Sequence, residues 1–253
     1  MTLKAILFDL DDTLLDWSGF KQDWATFEVD YLRRVFDYVC DDIHPLGDLN
    51  AFVAEFRNRT REAWRSGRGN LVAPHLGSLL VETAVLMGAP ADRLDARRCL
   101  EIYGWGAVPG TTAFPEAVEM LKLFQENGVK TGIITNAYQP MWLRDVEMKE
   151  LGLLDYFPTC RVSAADVGYL KPHPAIFEGA LQCLGTRPEE TVFVGDNPIA
   201  DIAGAQAAGL QAILRVAHPV PPMLSGLIIP DGAINNLGEL PAILDELYPG
   251  WRA

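Results

Sequence analysis

The chain is short of positive charge. Against 34 acidic residues it sets 21 lysines and arginines, a net charge of −13 in 253 residues. Sequence-independent nucleic-acid binding rests on Lys and Arg neutralising backbone phosphates, so a chain of this sign is a poor candidate for it. Docking on an anionic membrane is disfavoured for the same reason. Long apolar runs are missing too: nothing approaches the roughly 20 residues of a membrane span. Met1 to Asp12 holds no apolar stretch ahead of a small-residue cleavage site, unlike a secretion signal. Cysteine is sparse and scattered, at Cys40, Cys99, Cys160 and Cys183, with no C-x-x-C pair. Neither a zinc site nor a disulfide framework is indicated. Internal repeats and low-complexity linkers are absent. A cytoplasmic globular protein is expected, without nucleic-acid or membrane partners, as a monomer or homodimer.

What is present is 49% apolar and 22% charged residues, in a length that fits one large domain or two. Lys4-Ala-Ile-Leu-Phe8 is a short apolar run stopping at Asp9, the pattern of a buried strand in a parallel sheet. From Trp17 to Ala107 the period changes. Phe20, Trp24, Phe27, Tyr31 and Val35 recur at three and four, one face of a helix. Further helices are predicted over 48–66, 76–87 and 92–103. Four helices with no strand between them predict a small helical bundle, residues 17–107, inserted after the first strand into a core made of 1–16 and 108–253. Hinges are expected at Trp17-Ser18 and near Gly104, Gly106 and Gly110. Beyond Pro109 the pattern alternates: strands at 129–135, 161–163, 191–194, 211–216 and a short 226–229, with helices at 114–127, 140–151, 174–184 and 199–208. Alternation at this spacing predicts an α/β fold, a Rossmann-like parallel sheet with helices on both faces.

In such a sheet, ligands bind beyond the carboxyl ends of the strands. Polar groups gather there: Asp9 and Asp11 after the first strand, Thr135-Asn136 after the second, Lys171-Pro172 after the third, and Gly195-Asp196 with Asp201 after the fourth. Asp9 and Asp11, two apart, point to the same side of an extended chain. With Asp196 beside them they would repel unless a hard cation intervened, and Mg²⁺ takes one or two carboxylates together with waters and phosphate oxygens. An EF-hand does not fit, because its glycine position would hold Leu14 and its terminal glutamate position Phe20.

Asp9-x-Asp11-x-Thr13, Thr135-Asn136, Lys171-Pro172 and Gly195-Asp196-x4-Asp201 resemble the four motifs of the haloacid dehalogenase-like (HAD) superfamily, in the family's order. The helical insertion resembles the family's cap, so the likeness spans essentially the whole chain. It implies a Mg²⁺-dependent phosphatase acting on a small phosphorylated metabolite through an aspartyl-phosphate. Asp9 would be the nucleophile. Asp11 would be the general acid and then the base, its backbone carbonyl joining the Asp9 and Asp196 carboxylates on the metal. Thr135 would bond a phosphoryl oxygen and Asn136 would accompany it, Lys171 would hold the phosphoryl group and the nucleophile together, and Asp201 would orient Lys171 or a metal-bound water. Dehalogenases of the family lack the second aspartate, so Asp11 argues against dehalogenation. A sugar-phosphate mutase, or a non-catalytic binding protein of the same fold, remains an alternative.

The charge is unevenly spread. Residues 17–107 carry 11 basic and 13 acidic groups, a net of −2, leaving −11 on the remainder. Arg57, Arg61, Arg65 and Arg68 keep helical spacing and form one stripe. Either the stripe is a solvated face paired with Glu55 and Glu62, or Arg61 and Arg65 grip an anionic substrate.

Overall fold

A computed structural model describes residues 2–217 and 226–252. The chain opens with strand β1 (Ala5–Phe8) and a two-residue strand β2 (Leu15–Asp16). It then enters four helices, α1 (Trp24–Asp42), α2 (Leu49–Asn70), α3 (Leu76–Leu86) and α4 (Ala96–Tyr103). It returns through β3 (Thr112–Ala113), antiparallel to β2. After that, strands and helices alternate: α5 (Ala117–Glu126), β4 (Lys130–Thr135), α6 (Met141–Glu150), β5 (Cys160–Ser163), α7 (Ala164–Val167), α8 (Pro174–Leu184) and β6 (Thr191–Gly195). A π-helical turn (Pro198–Ala203) leads into α9 (Gly204–Ala207), β7 (Gln211–Arg215), β8 (Gly232–Ile234) and α10 (Leu240–Leu247).

Six strands form a parallel sheet in the order β5-β4-β1-β6-β7-β8. The strand period of two divides their side chains between two helix layers. Ile6, Phe8, Val192 and Val194 join Leu121 and Phe124 of α5 and Leu244 of α10 on one face. Ala5, Leu7 and Phe193 join Ile176 and Phe177 of α8 on the other. The four cap helices close on a cluster of their own, centred on Leu32, Val35, Phe52, Phe56, Leu80 and Tyr103. Their starts are chemically marked: Asp23, Asp48 and Asp95 each accept a backbone N–H of the first turn.

Two connections fix the cap on the core. The linkers touch at Gly19 and Gly110, where a Cβ on Gly19 would lie 2.2 Å from the Gly110 carbonyl oxygen, so only glycine fits. On the far side, the chain after α2 runs beside the segment ahead of Lys171. Leu170 N–H donates to Leu71 O at 2.8 Å, Ala73 N–H to Gly168 O at 3.0 Å and Leu76 N–H to Tyr138 O at 2.8 Å.

Several boundaries differ from the sequence reading. The helix predicted from Phe114 begins at Ala117, because Pro115 restricts its predecessor to extended backbone and Thr112–Ala113 pairs with β2. The helix predicted over 92–103 divides at Asp95, which caps α4. No strand forms at 226–229. Leu227 and Ile229 are exposed there, Pro230 offers no N–H to a ladder, and the outer strand is β8. The helix predicted over 199–208 is a π-turn followed by a four-residue α-helix.

Phe124 is fully buried and packs on Phe8 and Trp251, with ring centroids 6.3 and 5.7 Å away. Phe124→Ala is expected to lower stability by about 3–5 kcal/mol, the usual cost of emptying such a site. Denaturant unfolding measures this, and a loss below about 1 kcal/mol would show that α5 is not part of the cooperative core.

Candidate active site

The carboxyl ends of β1, β4 and β6 open on a cavity of about 250 Å³ that includes Asp9, Asp11, Thr135, Lys171, Asp196 and Asp201 in its wall. Sheet register brings them together. β1 lies between β4 and β6, so Asp9, Thr135 and Asp196 follow adjacent strands. Asp9 N–H donates to Val194 O at 2.9 Å, continuing the ladder by one residue and holding the carboxylate at the cavity floor.

Lys171 is the buried centre of the group. Its ammonium has three donors and three oxygens around it: Asp9 Oδ1 at 2.5 Å, Asp201 Oδ1 at 2.7 Å and Ile134 O at 2.9 Å. Burial works against its charge, but Asp201 and Asp9 outweigh that and hold its pKa above the ordinary lysine value. Asn136 clamps the Lys171 backbone from both sides. Its Oδ1 accepts the Lys171 N–H at 2.7 Å, and its Nδ2 donates to Lys171 O at 3.1 Å. Asn136 thus touches Lys171 directly, while Thr135, almost fully buried, meets the cavity beside it.

Asp201 comes from the π-turn. Asn197 caps that turn, accepting from the N–H groups of Ile199 and Ala200, and its own N–H donates to Asp201 Oδ2 at 2.9 Å. Pro198 occupies the first turn, where a missing N–H costs nothing. Gly195 makes room: a Cβ there would lie 2.4 Å from Asp201 Cγ.

The carboxylate oxygens of Asp9, Asp196 and Asp201 come within 4.8 Å of one another. Burial raises the Asp9 carboxyl despite Lys171, with Asp201 and Asp11 adding to the rise. Burial, then Asp201 and Asp12, raises Asp196 to about 6. Three hard oxygen donors this close to one another could hold a divalent cation such as Mg²⁺.

The Asp11 side chain turns to the wall of the site. Its Oδ1 accepts from Arg144 Nη2 at 2.7 Å and from Trp17 Nε1 at 2.9 Å. Arg144 and Glu147, on α6, are both buried and 3.0 Å apart, and Trp105 Nε1 donates to Glu147 Oε2 at 3.2 Å. Burial lifts Glu147 to about 7, against the pull of Arg144. Arg144 and Glu147 escaped the sequence reading. The signal was there: on the face of α6 that buries Met141 and Met148, two charged residues interrupt an otherwise apolar stripe.

Arg61 and Arg65 are exposed and line a separate cleft with Glu55, Asn58 and Glu62, away from the carboxylates. The next member of the stripe, Arg68, faces the active side. With Trp64 and Leu71 it borders a cavity of about 480 Å³ that shares Asn136 and Lys171 with the carboxylate site. The cap side of the crevice is therefore largely apolar, and sequence spacing alone did not show which turn of α2 reaches it. His173 caps α8 and stacks on Tyr169.

A family model described as haloacid dehalogenase-like hydrolase matches residues 3–209. The chain is 31% identical over 212 residues to a ribulose-1,5-bisphosphate 5-phosphatase of Halopiger xanaduensis, covering 83% of each chain. It is 30% identical over 213 residues to a glyceraldehyde 3-phosphate phosphatase of Methanothermobacter thermautotrophicus, covering 84% of this chain and 85% of that one. Among solved structures, a 2-haloacid dehalogenase from Pseudomonas syringae pv. Tomato superposes with a TM-score of 0.64 at 27% identity, over 97% of this chain and 99% of that one. Among the described residues, no helix is long and apolar enough to cross a membrane.

The raised carboxyls bear on stability. Asp9, Asp196 and Glu147 all titrate above their unfolded values of 3.8 and 4.5. Each contributes stability that is complete below the unfolded value and is lost as pH rises through the folded one. Glu190, held down to about 2 by Arg187 and Lys4, is ionised in both states well above 4.5 and adds no slope there. Protein in chelator is expected to melt at progressively lower temperature from about pH 5 to about pH 8, and Mg²⁺ to stabilise it more at the upper end. Thermal unfolding with and without Mg²⁺ reads both, and a rising melting temperature in chelator would contradict the assignment.

Proposed function

The chain belongs to the haloacid dehalogenase-like hydrolase family and acts on phosphate esters, and from that premise we propose a Mg²⁺-dependent phosphatase that cleaves a small phosphorylated metabolite through an aspartyl-phosphate. The observation that carries this reading is the convergence of Asp9, Lys171, Asp196 and Asp201 on one cavity, with Asp11 at its wall.

Lys171 occupies Asp9 Oδ1, which leaves the other oxygen to attack phosphorus. Asp11 donates a proton to the departing alkoxide and later takes one from the water that opens the aspartyl-phosphate. The Thr135 hydroxyl bonds a phosphoryl oxygen. The Lys171 charge draws the phosphoryl group toward the nucleophile, and Asn136 and Asp201 keep that ammonium in place. Asp9 and Asp196, with the Asp11 carbonyl, would hold Mg²⁺, and Asp201 stands close enough to orient its waters. Mg²⁺ bound there offsets the negative charge of the phosphoryl oxygens.

The names of the two curated relatives support a phosphorylated sugar or triose as substrate, and the neighbouring 480 Å³ cavity offers space for the leaving group. A cytoplasmic setting accords with Cys40, Cys99, Cys160 and Cys183, all free.

p-Nitrophenyl phosphate hydrolysis tests the reading. Turnover is expected with Mg²⁺, lost in chelator and recovered on adding the metal back. Asp9→Asn is expected to lower kcat by roughly 10³-fold or more. Metal-independent turnover, or an unaffected Asp9→Asn protein, would overturn it.

A further inference from the structure

Arg144 is a buried cation with no need to be there for packing. Its guanidinium lies 2.7 Å from Asp11 and 3.0 Å from Glu147, and 5.9 Å from the centre of the Trp105 ring. Its side chain is 4% exposed and that of Glu147 is 0% exposed. Burying such a pair brings little net stability, and well-packed apolar residues commonly replace one without loss. Met141, Leu143 and Met148 show that this helix supplies such residues nearby. The pair's purpose is to be sought where it reaches the cavity, at Asp11.

Asp11 is the exposed end of the chain of contacts, its side chain 36% accessible. Two donors meet there from different directions: the Arg144 guanidinium from α6 and the Trp17 indole from the first cap linker. Both address Oδ1. Among the described residues no donor takes Oδ2, so that oxygen remains for proton exchange. At the opposite end, Glu147 Oε2 forms a buried ion pair with Arg144 Nε at 3.0 Å and accepts a hydrogen bond from Trp105 Nε1 in the second linker.

We propose that Arg144 is a positioning residue for Asp11, and that the Trp105–Glu147–Arg144 relay, with Trp17, orients the Asp11 carboxyl so that Oδ2 meets the leaving oxygen. The inference rests on the acid–base role of Asp11 proposed above. A carboxyl without these tethers turns freely about its side-chain bonds. Misplacement of a reacting group by about 1 Å is enough to cost on the order of 10²-fold in rate.

A leaving-group comparison separates positioning from structural support. An alkyl alkoxide needs a proton as it departs, whereas p-nitrophenolate leaves without one. The kcat/KM, which covers the steps up to the first irreversible one, is measured for glycerol 1-phosphate and for p-nitrophenyl phosphate with Mg²⁺. For Arg144→Met we expect a loss of ~10²-fold on the alkyl ester and less than about threefold on the aryl ester. Arg144→Lys is expected to recover part of the alkyl activity. Trp17→Phe, which removes one donor without stranding Glu147, is expected to show the same selectivity with a smaller loss. It serves as the test should Arg144→Met not fold, as judged by circular dichroism. Equal losses on the two esters, or no loss on either, would overturn the inference while leaving the phosphatase reading intact. Wild-type protein that hydrolyses neither ester would overturn both.

Discussion

The site is organised around the Lys171 ammonium. A buried cation is costly unless its charge and its hydrogen-bonding protons are met. Asp9 and the Ile134 carbonyl accept its hydrogen bonds, and Asp201 pairs with its charge at 2.7 Å. The dependence is mutual, because Asp9 and Asp201 are crowded carboxylates that would repel without the ammonium between them. The surrounding pieces serve this arrangement. Asn136 holds the lysine backbone, Asn197 holds Asp201, and Gly195 leaves the space Asp201 fills.

Charge remains to be balanced. Asp196 stands beside the group with its carboxyl raised by burial and by its acidic neighbours. A site of this kind is incomplete alone, and a dication together with a phosphoryl group completes it electrostatically. The overall acidity of the chain and the proposed small phosphorylated substrate are therefore compatible. Asp9, Asp196 and Asp201 place several of the chain's acidic groups together at the cavity, while residues 17–107 are nearly neutral.

The parallel sheet and the order of its motifs were legible because both are local. A run such as Val129–Thr135 followed by a helix pattern can be read within a short window, and the residue after each strand end is fixed by it. The role of Asn136 was less legible. Thr135 and Asn136 adjoin in sequence and both border the cavity, yet Asn136 also grips Lys171, 35 residues away. The relay through Arg144 was harder still, since it joins α6 to both cap linkers and depends on tertiary packing that no spacing encodes. The arginine stripe is left open by its spacing between a solvated face and a substrate grip, and the exposed placement of Arg61 and Arg65 favours the first. Its helix is predicted over 48–66 and runs on to Asn70, and a helix shows its faces but not what lies opposite each turn, so Arg61 and Arg65 are weighed as substrate groups where Arg68 and Trp64 border the crevice. The π-turn was unreadable because nothing in Pro198–Ala203 distinguishes five-residue from four-residue hydrogen bonding.

The seam between Leu71–Ala73 and Gly168–Leu170 alters how the cap must be pictured. A body joined only by two adjacent linkers swings like a flap. One also stitched to the core on its far side behaves as an arch, and its span is set by both abutments. Lifting it means parting backbone hydrogen bonds worth roughly 1 kcal/mol each, next to the very segment that delivers Lys171. The cavity beside the carboxylates is bordered on the cap side by Trp64, Leu71 and Arg68, next to this seam. Any movement that parts this seam also disturbs the segment that carries Lys171, so the position of the cap and the setting of the buried ammonium are mechanically coupled.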